Sequence, residues 1–247
     1  LLEQVTDAPR RAYMQSRGPA ALTVLDAGPA AYWRLDDFAG PRALDIAGKH
    51  NHAIYEPGVV FFLEGANSES FCLDGETNRA AHFAGGRLDA RVAGLGESYA
   101  VSLWFWNGMP AGARNISGWL FSRGRGPGLD AAGDHLGILG TGDDYGKLVF
   151  QHGTGDAAPI VGRTATERWT WNHVVFVRED ATVRAYLNGD TQPEFEAEVS
   201  ADFPKDFAQF YFGGRGDNQD NWEGRLDEIA IFDPAIDAKA VERLAGK

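Results

Sequence analysis

One cysteine, two methionines and no apolar run of membrane length set the first limits on this chain. Cys72 alone permits no intramolecular disulfide and has no metal-type companion nearby, so it reads as a small, semi-buried apolar residue. No stretch approaches the roughly 20 apolar residues that a membrane-crossing helix needs. Basic residues are also short, 23 Lys and Arg against 35 Asp and Glu. The resulting formal net charge of −12 argues against nucleic acid or an anionic membrane surface as the main partner, and is compatible with neutral glycans or cations. Phosphate loops, dinucleotide fingerprints and a Ser-His-Asp arrangement are missing. No signal peptide is visible, and the opening "LLEQVTDAPRRAYM", without a leading Met, reads as part of a longer protein.

What is present is β-forming. The 247 residues are 44% hydrophobic and 12% aromatic, enough for a packed core, and 31 glycines imply many tight turns. Residues 1–28 read as a polar lead-in, weakly helical over Leu2–Gln15 and ending at Gly28-Pro29. Short aromatic and β-branched runs follow, among them "GVVFFL" (58–63), "SYAVSLWFW" (98–106), "GKLVFQH" (146–152), "WNHVVFVRE" (171–179) and "GRLDEIAIF" (224–232). Glu179-Asp180 is expected to turn a hairpin whose second arm puts Val183, Ala185 and Leu187 on one face. Asp237 is expected to cap a short helix with Val241 and Leu244 inward and Gly246 as its stop. A dozen or so strands without alternating helices predict one antiparallel sandwich or jelly roll over residues 29–247.

Asp227 and Glu228 are the obvious candidates for acid–base chemistry. In a regular strand neighbouring side chains point to opposite faces, so the two are expected to diverge. Glycoside hydrolysis needs two carboxylates on one surface, roughly 5–9.5 Å apart, and neither face of this strand supplies a second one. The pair therefore reads as structural.

Five runs, in order, resemble bacterial laminin-G-like domains of the concanavalin A-like lectin/glucanase superfamily. They are "DAGPAAYWRLDDFAGPRALDIAGKHNHAIY" (26–55), "AHFAGGRLDARV" (81–92), "YAVSLWFW" (99–106), "WNHVVFVREDATVRAYLNG" (171–189) and "FYFGGR…WEGRLDEIAIFDPAIDAKAVERL" (210–244). Ala84 stands where the family usually has Asp. The resemblance implies an all-β fold, a two-sheet antiparallel jelly-roll sandwich with a short C-terminal helix. It also implies an extracellular bacterial setting, other domains in a longer parent chain, and in most members a non-catalytic recognition role. The Glu-x-Asp-x-x-Glu strand of the fold's enzymes is not found here. One structural calcium ion, which the wider fold often carries, maps to Asp36, the Gly85 carbonyl and Asp227.

For the ligand, Trp106 stands near a strand end where related domains carry a polar residue, and an exposed indole is what the apolar face of a sugar stacks on. Trp104, two residues earlier, is expected to be packing. Trp222 lies in the polar loop "GGRGDNQDNWEG" (213–224) and Tyr145 in the turn "TGDDYGK" (141–147), where binding residues concentrate. With Arg123 they form the expected ligand surface. The partner is a glycan or a protein; a polysaccharide-active enzyme with a site built across strands, and a structural domain with no ligand of its own, remain alternatives.

Overall fold

The computed structural model describes residues 17–124, 128–153, 158–199 and 207–246. These hold sixteen strands. The first eight are β1 (Ala31–Trp33), β2 (Arg42–Ala43), β3 (Ala53–Tyr55), β4 (Val59–Glu64), β5 (Arg79–Ala84), β6 (Leu88–Arg91), β7 (Tyr99–Asn107) and β8 (Ile116–Gly124). Then come β9 (Gly133–Leu139), β10 (Lys147–His152), β11 (Ile160–Ala165), β12 (Trp171–Glu179), β13 (Thr182–Leu187), β14 (Phe195–Glu198), β15 (Gln209–Phe212) and β16 (Glu223–Phe232). Three α-helices accompany them, α1 (Pro19–Asp26), α2 (Ser68–Phe71) and α3 (Ala238–Leu244), with one 3-10 turn at Gly142–Asp144.

The strands form two antiparallel sheets. Sheet one runs β14-β13-β12-β7-β16-β5-β4, with β1 also paired to β16; sheet two runs β11-β10-β9-β8-β15-β6-β3-β2. The expected all-β, two-sheet sandwich of jelly-roll type is the fold observed. Alternation explains its core. Val101, Leu103 and Phe105 of β7, Val174 and Phe176 of β12, and Leu226, Ile229 and Ile231 of β16 point inward. They meet Phe121, Leu136, Ile138, Phe150 and Phe212 of sheet two. Phe176 sits at the centre, its ring 5.2 Å from Phe150 and 5.3 Å from Phe121. Each such side chain contributes about 1.5–3 kcal/mol by leaving water.

A charged cluster interrupts this layer. Asp134 accepts hydrogen bonds from Arg178 at 2.8 Å and from the Tyr99 hydroxyl at 2.8 Å, and its Oδ1 lies 2.9 Å from His152 Nδ1. Asp134 and Arg178 are fully buried. Burial opposes ionisation of Asp134, but the bonds from His152, Arg178 and Tyr99 outweigh it and hold the carboxyl below the usual carboxylate range. The cluster ties β9, β10, β12 and β7 together across the two sheets.

The second arm of the expected hairpin buries Val183, Ala185 and Leu187 as predicted. Its turn is Asp180-Ala181, one residue later than expected, because Glu179 pairs with Thr182 and Asp180 takes a left-handed φ of 52°. Asp237 accepts a hydrogen bond from the Ala240 amide at 2.8 Å, and Val241 and Leu244 are buried, so α3 follows its prediction. The lead-in differs from its expectation. The helical expectation for Leu2–Gln15 lies outside the described residues, whereas residues 19–26 form α1, which buries Ala21 and Val24 against the body.

All three α-helices cover the outer face of sheet one. Val24 of α1 and Val241 and Leu244 of α3 lie on Ala100, Val175, Val177, Ala230 and Phe232. Ala20, Ala21 and Phe71 of α1 and α2 lie on Trp104.

Asp134→Ala would leave the Arg178 guanidinium buried without its counter-charge, and is expected to cost about 3–5 kcal/mol in urea unfolding. Because the folded carboxyl titrates below its unfolded value, its contribution is present above the unfolded value near pH 4 and is lost as pH falls through the folded one. The difference between the two proteins should therefore shrink on acidification.

Candidate functional site

The helices leave one end of sheet one's outer face open. There the cross-strand register places Trp171 of β12 opposite Trp106 of β7, Trp106 opposite Arg225 of β16, Arg225 opposite His82 of β5, and His82 opposite Val60 of β4. Directly opposed residues of an antiparallel pair share a face. That face is the outer one, because the flanking Phe105, Leu226, Ala81 and Phe83 all lie in the core. Trp171, Trp106, Arg225 and His82 are each partly exposed and Val60 is 50% exposed, so five strands present one continuous row to solvent.

The row is held in place by its neighbours. The Arg225 guanidinium lies 4.8 Å from the Trp106 ring centre and donates to the Glu64 carbonyl at 2.8 Å. A Cβ on Gly108 would come within 3.3 Å of Trp106 Cζ3, so the indole rests against bare backbone. At the β12 end Trp169 is 60% exposed and has a left-handed φ of 64°, which is unfavourable for a bulky residue. Its amide donates to the Asn107 carbonyl at 3.0 Å, beside Trp106, and the Arg168 guanidinium stacks 4.1 Å over its ring while donating to the Gly108 carbonyl. Burial, with Arg225 adding to it, holds the His82 imidazole below its ordinary pKa, so it is neutral at pH 7.

Of the four residues expected to form a ligand surface, one lies in this row. Trp106 is central to the row. Tyr145, partly exposed, donates its hydroxyl to the Met109 carbonyl at 3.0 Å and so stands at the same end of the sandwich. Trp222 and Arg123 require correction. Trp222 is fully buried in the main core, edge-on to Phe105, because its loop turns back into β16 and delivers the indole between the sheets. Arg123 is also fully buried. It stacks on Tyr99 at 4.3 Å and donates to the Phe207 and Gly96 carbonyls, and Tyr99 stands seven residues, about 23 Å, along β7 from Trp106. Several polar side chains of the Trp222 loop are engaged within the protein: Arg215 pairs with Asp217 at 2.6 Å, and Asn221 donates to the Gly85 carbonyl. Trp104 is packed as expected, 6.0 Å from Phe71.

The acidic pair also differs from expectation. The β16–β7 register shifts between Asp227 and Ala230, and Glu228 has φ 49°, the mark of a bulge. Leu226 and Ile229 stay in the core, so Asp227 and Glu228 both leave on the outer face instead of diverging. Both are buried. Arg34 lies among them: its Nε donates to Glu228 at 3.0 Å, its Nη2 to Asn78 Oδ1 at 3.0 Å and to the Phe71 carbonyl at 3.1 Å, and its Nη1 is 3.8 Å from Asp36. The Tyr32 hydroxyl donates to Glu228 as well. Burial works against the guanidinium charge, and Glu228 and Asp36 more than offset it, holding Arg34 above its ordinary value.

Two buried Ser–His contacts complete the inventory, Ser102 with His173 at 2.8 Å and Ser122 with His135 at 2.7 Å. In each the far ring nitrogen has no hydrogen-bond partner, so no carboxylate orients the imidazole as a general base requires. Burial lowers the two histidines to about 3 and about 4. All four side chains are sealed from solvent.

Comparison with known proteins now decides the family. A laminin-G-type model of the concanavalin A-like lectin/glucanases superfamily matches residues 84–242. The chain belongs to this superfamily. No curated protein matches it in sequence. Among solved structures it is similar to domain 4 of an extracellular arabinanase from Geobacillus stearothermophilus in complex with arabinotriose, with 19% identity, a TM-score of 0.59, and coverage of 88% of this chain and 98% of that one. It is also similar to the botulinum neurotoxin type G receptor-binding domain, with 11% identity, a TM-score of 0.61, and coverage of 89% and 51%. A third is the sialidase of Trypanosoma rangeli, with 15% identity, a TM-score of 0.61, and coverage of 89% and 32%. The chain thus spans half of the toxin domain and a third of the sialidase. At these identities the likeness is one of fold.

The calcium ion that membership of this superfamily suggests does not fit the three residues mapped to it. Asp227 Oδ2 accepts from the Ala66 amide and Asn78 Nδ2, both at 2.8 Å, and Oδ1 from the Glu228 amide at 3.0 Å. Gly85 follows the β5 residue whose partner is Glu223, four residues or about 13 Å along β16 from Asp227. Calcium takes six to eight oxygens, and here the positive charge among the carboxylates is Arg34. Among the described residues no group of three or more His, Cys, Asp or Glu is arranged to hold a metal.

The melting temperature of the purified chain is accordingly expected to be the same in millimolar calcium and in chelator; a rise of several degrees with calcium would contradict the geometry. Arg34→Met, which strands Glu228 and Asp36 in the interior, is expected to lower stability by about 3–5 kcal/mol in equilibrium unfolding.

Proposed function

We propose that this chain is a non-catalytic recognition module that binds glycan on the open end of sheet one. The observation that carries the reading is the row Trp171–Trp106–Arg225–His82. It sets stacking surfaces beside hydrogen-bonding groups on a rigid sheet, which is what a sugar, apolar on its ring faces and polar at its rim, requires. Trp169, held in a strained backbone conformation beside the row, adds a third exposed indole.

The comparisons support the reading at the level of fold, since a domain of nearly the same extent occurs in an extracellular arabinanase in complex with arabinotriose. The same likeness supports a place outside the cell as one part of a longer protein. Catalysis draws no comparable support. Asp227 and Glu228 are buried, Glu228 paired with Arg34 and Asp227 bonded to the Ala66 amide and Asn78, and the Ser–His contacts are sealed and lack an orienting acid.

The test is affinity electrophoresis through gels cast with debranched arabinan, xylan, cereal β-glucan, galactomannan or polygalacturonate. Retardation in at least one neutral gel is expected. Trp106→Ala and Trp171→Ala should each weaken it about tenfold or more, with the melting temperature little changed, because each ring supplies surface to the ligand rather than to the core. Trp222→Ala should instead unfold or strongly destabilise the domain, by about 3–5 kcal/mol. Retardation equal to wild type in both row variants would overturn the assignment.

A further inference from the structure

Resting on that reading, we infer that the row recognises an interior stretch of a linear, neutral polysaccharide, about four sugar residues long, lying across the strands of sheet one. Three observations carry this.

The first is shape. The five residues fall on one straight line of register across β12, β7, β16, β5 and β4. Neighbouring strands are about 4.8 Å apart, so the line is about 19 Å long, and an extended chain advancing by a similar step per sugar seats about four residues on it. The second is openness. β4 is the last strand of sheet one on one side, and Val60 upon it is 50% exposed. Cavities of 260, 250, 600 and 270 Å³ are lined by residues of α1 to α3 and their flanking loops or by the 96–98 and 233–234 turns, away from the row. No strand of sheet one stands beyond Val60, so at this end a polymer can run on past the row.

The third is charge. The one permanent cation of the row, Arg225, is engaged with the Trp106 ring and the Glu64 carbonyl. Glu223 precedes it by two residues on the same strand face, and the whole chain carries −12. An acidic polysaccharide meets no free positive stripe here. Hydroxyl groups meet the guanidinium edge, the neutral His82 ring and the Glu223 carboxylate.

The row also has polarity. Its indoles, Trp171, Trp106 and the adjoining Trp169, gather at the β12–β7 end, and His82 and Val60 make up the other. Short oligosaccharides should seat on the indoles, and only longer ones should reach His82.

Isothermal titration with arabino-, xylo- and cello-oligosaccharides of one to six residues tests the inference. For the binding series, affinity is expected to rise with each residue to about four and then level off. Reducing the terminal aldehyde with borohydride should change it less than twofold. Trp171→Ala should weaken all lengths, while His82→Ala should weaken tetraose and longer by severalfold and leave the disaccharide unchanged. Affinity complete at one residue, loss of affinity on end reduction, or stronger retardation by polygalacturonate than by every neutral gel would overturn the inference while leaving glycan binding standing. No binding of any oligosaccharide or gel would overturn the functional reading itself, and this one with it.

Discussion

The outer face of sheet one depends on how Asp227 is satisfied. The lower half of β16 pairs with β5 and its upper half with β1, on the same side, and the ladder breaks where one partner gives way to the other. The bulge falls at that break. Asp227 supplies what the backbone cannot, accepting from the Ala66 amide beyond β4 and from Asn78 ahead of β5. The approach is close enough that a Cβ on Gly65 would lie 2.5 Å from Asp227 Oδ2, so only glycine fits there. An unsatisfied buried carboxylate would cost several kcal/mol, and the local path of the chain is drawn around avoiding that cost.

Arg34 extends the same constraint outward. Its bonds to Glu228, Asn78 and the Phe71 carbonyl fasten the 66–78 segment, with α2 in it, onto β1 and β16. Phe71 and α1 then cover Trp104, and the face is closed from there to α3. What stays open is the next row toward the other end of the strands. The buried ionic group and the exposed aromatic row are thus two consequences of one arrangement: the first fixes where the helical cover sits, and the second begins where that cover ends.

Much of the fold was legible in the chain. Alternation placed Val183, Ala185 and Leu187 inward, and a capping aspartate located α3, because both signals are local and periodic. The short strands β2, β3, β6, β11 and β14 left little periodic trace, since two to six residues hold too few alternations to count. The opposite faces expected of Asp227 and Glu228 failed for a related reason. A bulge inserts one residue without altering composition, and every side chain past it changes side relative to a regular count. The ligand surface was legible only in part. Trp106 could be read from its place near a strand end. Trp222 looked equally available in a polar loop, because nothing local shows that the loop folds back between the sheets. Trp169 and Trp171 carried a usable signal, their shared parity with His173 against the inward Val174 and Phe176, but their meeting with Trp106 is a matter of register between strands 65 residues apart in sequence and is invisible in either strand alone.

A binding surface made this way needs little reorganisation. Trp106 and Trp171 stand on two central strands paired to each other, Trp106 rests on Gly108, and Arg225 and Arg168 hold the neighbouring indoles by cation–π contact. Side chains already confined lose little rotamer freedom when a ligand arrives, so a larger share of the stacking energy appears as affinity. The two central strands cannot themselves adjust without disturbing Phe105 and Val174 in the core beneath. A flat row on such a base discriminates by the spacing and the equatorial or axial placement of hydroxyls rather than by enclosure. The one indole of the site that no strand carries is Trp169, set in the turn between β11 and β12 and held there by the hydrogen bond from its amide to the Asn107 carbonyl and by Arg168 over its ring.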